Sequence, residues 1–237
     1  MNTFTFIYIV GIFIILNLFQ GFTNISLENQ LIYSSIFILL LGIPHGAIDH
    51  VLFFKKREMS QLKFYSIYLG LSLVFVVLWH LAPITSLIFF LLISAFHFGE
   101  SQFADISFKK IYRFTFYFFW GLCLLSSLMF YNVSELYEIT RYFNDTIVLD
   151  TVYNKEKIGI FFYLTNLITI LSIVALLLLN KIEKDRLFSE LFLLFLIHIT
   201  FFLFPFIIGF TLYFVALHSL KVMNDEFKFL KKENKDF

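Results

Sequence analysis

The sequence predicts an all-α integral membrane protein with about eight transmembrane helices in one bundle, and three observations carry that prediction. The chain is 59% hydrophobic and only 15% charged, with a mean hydropathy of +0.84, a balance that soluble domains do not reach. Eight apolar stretches approach the ~20 residues needed to cross a bilayer. The cations between those stretches are abundant on alternate sides only, as expected of a multi-pass chain. No stretch reads as a repeat, a low-complexity tract or a soluble unit, so residues 1–237 form a single polytopic membrane domain.

Each element has its own justification. Residues 4–22 lack a preceding basic segment and a following small-residue cleavage site, so they read as a first span rather than a removed leader. Residues 31–54 are apolar around one polar cluster and stop at Lys55-Lys56-Arg57. Residues 64–81 and 84–103 are together too long for one crossing, and Pro83 suits the turn between them. A fifth span covers 111–131. In the segment that follows, Leu136, Ile139, Tyr142 and Phe143 recur at helical spacing opposite Glu135, Glu138 and Arg141. That pattern predicts a short helix lying on the membrane surface, its charges on a solvated face. Spans at 158–180, 187–204 and 206–227 complete the set, with Pro205 dividing the last two.

With a cytoplasmic N-terminus, the inner segments hold Lys55, Lys56, Arg57, Lys63, Lys109, Lys110, Arg113, Lys181, Lys184, Arg186, Lys221, Lys228, Lys231, Lys232 and Lys235. Only Arg141, Lys155 and Lys157, all in the one long loop, fall outside. The bias predicts an inner-membrane protein with both termini in the cytoplasm. Several classes are excluded. The single cysteine, Cys123, allows no disulfide framework, and no basic tract with interleaved aromatics points to nucleic acid. Most of the 36 phenylalanines read as lipid-facing surface.

The chemistry sits in the spans. Gly42-Ile43-Pro44-His45-Gly46-Ala47-Ile48-Asp49-His50 interrupts the second one. Histidine and aspartate are costly in hydrocarbon and mark a site there; the proline and glycines can open the helix and aim side chains into the protein. All six histidines fall in or at the edge of spans. At 1.5 Å per residue, His45 and His218 lie about 13 Å, His97 about 10 Å and His50 about 6 Å from the inner ends of their spans. Four histidines from three helices thus share one layer, and such residues can converge on a metal such as iron, zinc or copper. His80, beside Trp79 near the outer surface, reads as an interface residue, and His198 as an interhelical hydrogen bonder. His50 reads equally as a ligand, a base behind a ligand, or a side chain turned to the surface. Asp49, four residues after His45, and Glu100, close to His97, are carboxylates of the kind that orient a ligating imidazole.

Three segments in order resemble the Brp/Blh family of bacterial and archaeal β-carotene 15,15′-dioxygenases: Gly42 to Asp49, His97-Phe98-Gly99, and Tyr213-Phe214 through His218-Ser219. The resemblance spans nearly the whole chain. It implies oxidative cleavage of β-carotene by O2 at its central double bond to two molecules of all-trans-retinal, with a rhodopsin as candidate downstream user. It also implies Fe(2+) bound by His45, His97 and His218. The sequence departs from the family pattern at Val222, where the family carries a second histidine one helical turn after the first, and at Leu217, where it carries an aromatic residue. A fourth ligand is then His50 or His198, or the iron has three. Two rivals are a di-iron membrane oxidase, which needs more histidines in paired boxes, and a metal or proton carrier, which needs ionisable groups at successive depths.

Overall fold

The apolar stretches are helical in a computed structural model that describes residues 3–19, 25–42, 44, 60–107, 110–140 and 154–233. Helix α1 is Thr3–Phe19, and α2, Leu27–Phe37, runs into a π-helical turn, Ile38–Gly42. Then come α3, Gln61–Leu81, α4, Pro83–Phe103, and α5, Lys110–Tyr131. The short α6 is Val133–Thr140, followed by α7, Lys155–Leu178, and α8, Lys184–Leu203. Helix α9, Phe206–Tyr213, passes through a second π-helical turn, Phe214–Ser219, into α10, Leu220–Glu233. No strand occurs among the described residues.

Among the described residues six helices are long and apolar enough to cross a membrane: Gln61–Leu81, Pro83–Phe103, Tyr112–Tyr131, Lys155–Leu178, Lys184–Leu203 and Phe206–Lys232. Thr3–Leu18 and Leu27–Gly42 are shorter apolar helices, and the rest of the predicted second span lies outside the described residues. The two proline turns behave as their chemistry requires. Pro83 is the first residue of α4, where its missing N–H has no helical partner to lose, and Pro205 precedes α9 as its N-cap.

Helices α4 and α5 make the closest approach. A Cβ on Gly99 would overlap the backbone of Tyr117, and one on Gly121 the backbone of Ala95. Small residues let helix backbones touch where no hydrophobic drive separates protein from lipid. Around this contact lie the buried rings of Phe103, Tyr117 and Trp120. By contrast α3 has no buried residue, and its leucines and valines face outward, as a lipid-facing helix requires.

Polar contacts tie the helices together at both ends of the bundle. At one end α9 is capped by other helices: Phe206 N–H donates to Glu135 Oε2 at 2.7 Å and Ile207 N–H to Gln30 Oε1 at 3.2 Å. Gln30 is buried and donates in turn to Glu135 at 3.3 Å. The predicted helix at 133–140 exists, but Glu135 does not belong to a solvated face; it occupies the N-terminal site of α9, whose first N–H groups lack helical acceptors. At the other end Glu190, 3% exposed, forms an ion pair with Arg186 Nε at 2.7 Å and accepts from Gln102 Nε2 at 2.9 Å.

Candidate active site

The two π-helical turns face each other and build the site. Ser219 Oγ donates to Leu41 O at 2.5 Å, joining the end of one turn to the other. Gly42 lies beneath the Phe214 ring, so closely that a Cβ there would stand 2.7 Å from Phe214 Cε1. In the second turn Leu220 N–H bonds to Val215 O, the wider spacing of a π-helix. Such turns occur inside α-helices mainly at functional sites.

The second turn carries His218, which is 2% exposed. Three rings enclose its imidazole. Phe214, one turn back, stacks on it at 5.4 Å and 25°. Phe98 meets it edge-on at 5.0 Å, and His97 stands across it at 4.9 Å and 74°. His97 itself is exposed. The depth matching read from the sequence therefore brings at least these two imidazoles together, from helices more than 100 residues apart in the chain.

Ser101 sets the state of His218. Its hydroxyl donates to Phe98 O at 2.9 Å, one turn back in α4. With its only hydrogen used there, Ser101 Oγ accepts from His218 Nδ1–H at 3.0 Å. The acceptor lone pair then sits on Nε2, the arrangement also found in metal-binding histidines whose other nitrogen is held by a hydrogen bond. Lys221, three residues after His218, donates to Ser101 O at 3.1 Å, Gln102 O at 3.2 Å and Gln102 Oε1 at 3.0 Å. It thereby satisfies carbonyls at the open end of α4 and locks the His97 helix to the His218 helix.

The other predicted residues fall as follows. His45, Asp49 and His50 lie outside the described residues. Glu100 is exposed; among the described residues the side chain bonded to His218 is Ser101. His198 is elsewhere engaged: its Nε2 donates to Asn166 Oδ1 at 2.9 Å, and its ring meets Tyr131 and Phe162. Cys123 Sγ donates to the same Asn166 oxygen at 3.2 Å. His80 lies in the last turn of α3. Among the described residues no three His, Cys, Asp or Glu side chains converge; His97 and His218 are the pair that fits a metal, as two adjacent nitrogen donors.

Sequence reasoning missed the roles of Ser101, Phe98, Phe214 and Glu190. Spacing offered a signal for two of them, since Ser101 is one turn after His97 and Phe214 one turn before His218.

An apolar pocket of about 270 Å³ has Phe98 and Phe210 in its wall, and the Phe98 ring stands between it and His218 at 5.0 Å from the imidazole. A second cavity of about 370 Å³ is lined by Gln102, Arg186, Glu190 and Lys221.

Residues 36–237 match the family model described as beta-carotene 15,15'-dioxygenase. The chain belongs to the beta-carotene 15,15'-dioxygenase family. The matched region of that family includes every candidate residue named above. A beta-carotene 15,15'-dioxygenase from uncultured marine bacterium 66A03 is 38% identical over 71 residues, covering 28% of this chain and 26% of the relative. The alignment thus spans about a quarter of that curated relative. No solved structure matches the chain.

Proposed function

We propose that this chain cleaves β-carotene at its central 15,15′ double bond with O2, giving two molecules of all-trans-retinal. The observation that carries this reading is the His97–His218 pair, 4.9 Å apart and walled by aromatic rings inside an apolar helical bundle, in a chain of this family. One carbon–carbon double bond and one dioxygen are consumed, and two aldehyde carbonyls form.

His97 and His218 would hold Fe(2+) together with His45, with His50 as the candidate fourth donor and Asp49 and Glu100 as the carboxylates behind them. When bound, the iron supplies activation of dioxygen. The protein does the rest. Ser101 holds the His218 proton on Nδ1, Phe98 and Phe214 exclude water from the His218 imidazole, and the apolar walls orient the polyene. β-Carotene is as apolar as lipid tails, so it enters from the bilayer between helices and retinal leaves the same way.

The fold belongs in the inner membrane with eight spans and both termini in the cytoplasm. Support comes from the ends of the helices. Leu87 near the start of α4 and Phe206 at the start of α9 line one pocket with α6. At the other end Gln102 near the end of α4, Arg186 near the start of α8, and Lys221 meet. Helices α4 and α9 therefore run one way and α8 the other, which agrees with alternating spans. Expression in a β-carotene-producing bacterium tests the function: colour is lost and retinal appears with the wild-type chain, and neither occurs with His218→Ala. Retention of colour by cells that make the folded wild-type chain would overturn the assignment.

A further inference from the structure

Two cavities reach residues beside the imidazole pair, one at Phe98 and the other at Gln102 and Lys221, and they differ in chemistry. The larger, about 370 Å³, presents Gln102, Arg186, Glu190 and Lys221. Seating a hydrocarbon there would strip water from charged groups without replacing their hydrogen bonds, which is costly. The smaller, about 270 Å³, has walls built almost wholly of Leu, Ile, Met and Phe side chains from α4, α5, α6 and α9, with Trp79 of α3 and Ser94 besides. Its volume falls just below the ~300–1,000 Å³ usual for a small-molecule site, room for one half of a long polyene but not the whole.

Its orientation decides what it does. One end is the Phe98 ring, which stands 5.0 Å from His218 and follows His97 directly in the chain. The opposite end is formed by Leu87 and by Leu136 and Ile139 of α6. At 1.5 Å per residue α4 runs about 16 Å from Leu87 to Phe98, about half of a ~30 Å hydrocarbon core. Helix α6 is held across that end by the Glu135 bond to Phe206 N–H at 2.7 Å, so the end wall is fixed by a hydrogen bond and not only by contact.

We propose that this pocket seats one ring-bearing half of the carotene and that its depth, from α6 to Phe98, selects the double bond that reaches the imidazoles. The proposal rests on the dioxygenase reading above. A ring stopped by α6 places a set length of polyene before the metal-binding pair. Both halves of β-carotene are identical, so either may be seated, and the bond presented is the central one. Raising the floor moves the cleaved bond towards the seated ring, so that one aldehyde is longer than retinal and the other shorter.

Two variants of the full chain, purified in detergent, test this. Leu136→Trp fills the α6 end and is read by chromatography of the aldehydes formed from β-carotene. The expected result is an unequal pair of aldehydes at the expense of retinal. Ser94→Phe fills the middle of the pocket and is read by equilibrium binding of labelled all-trans-retinal, a probe equal to one half of the substrate, with its Kd rising at least tenfold while the thermal melt is unchanged. Retinal as sole product of an active Leu136→Trp chain overturns the proposal, and so does wild-type retinal affinity in Ser94→Phe. If Leu136→Trp is inactive, the binding result alone decides. A wild-type chain that forms no retinal, yet binds it in a manner blocked by Ser94→Phe, would sink the catalytic reading and leave the half-site standing.

Discussion

Ser101 Oγ lies 3.0 Å from His218 Nδ1, with the serine proton already committed to Phe98 O. A single hydroxyl therefore fixes both the orientation and the tautomer of the buried imidazole. Hydrogen bonds behind metal-bound histidines commonly change metal affinity or activity by about 10–100-fold when removed. Ser101→Ala should lower iron affinity by that factor, and Ser101→Thr should restore most of it. An iron titration of the purified protein measures this, and an unchanged affinity in Ser101→Ala would remove Ser101 from the site.

Each of His45→Ala, His97→Ala and His218→Ala should abolish both bound iron and retinal formation while membrane insertion is kept. His198→Ala should keep both, because its Nε2 is spent on Asn166 at 2.9 Å. Metal analysis of the four purified variants separates these cases; near-normal iron in any of the first three excludes that residue as a ligand.

By the motif resemblance, Val222 stands where a second histidine is expected. If His50 replaces it, His50→Ala should cut the iron content, and adding Val222→His should restore part of it. A silent His50→Ala in both backgrounds favours an iron with three histidines.

The α4–α5 contact should be the least tolerant packing in the protein. Gly99→Ala and Gly121→Ala each put a methyl group into facing backbone, so each should destabilise by at least the ~1–3 kcal/mol of an overpacked core. Gly70→Ala is the control, since nothing lies within 4 Å of its Cβ position; there the better helix former should gain roughly 0.5–1 kcal/mol. Thermal melts in detergent compare the three.

The charge distribution predicts that a reporter fused after Phe237 is active on the cytoplasmic side, and one inserted between Tyr142 and Lys155 on the far side. Activity of the first on the far side contradicts the eight-span arrangement.

What the sequence disclosed follows from which physical quantities are local. Depth is local: a fixed rise per residue turns position into height, and so the sequence alone places His97 and His218 in one layer. Turn chemistry is local too, and Pro83 and Pro205 stand where helices begin. The functions of Ser101 and Glu135 are not local. Both read as ordinary polar residues near a span end, and only the approach of another helix turns one into a partner of His218 and the other into a cap for Phe206. The π-helical turns escaped because an extra residue per turn leaves hydrophobic patterning almost unchanged where every neighbour is apolar. The six long helices emerged with boundaries shifted by a few residues, for the related reason that caps such as Ser60 and Asn154 are polar positions just outside the apolar run.

The cap on α9 has a consequence for biosynthesis. Its acceptors, Gln30 and Glu135, belong to segments made 177 and 71 residues before the amides they receive. Because a chain is synthesised from its N-terminus, the receptor for the last long helix is present when that helix leaves the ribosome. Docking of α9 then brings His218 to His97, so a site that needs both imidazoles cannot form before that helix is made.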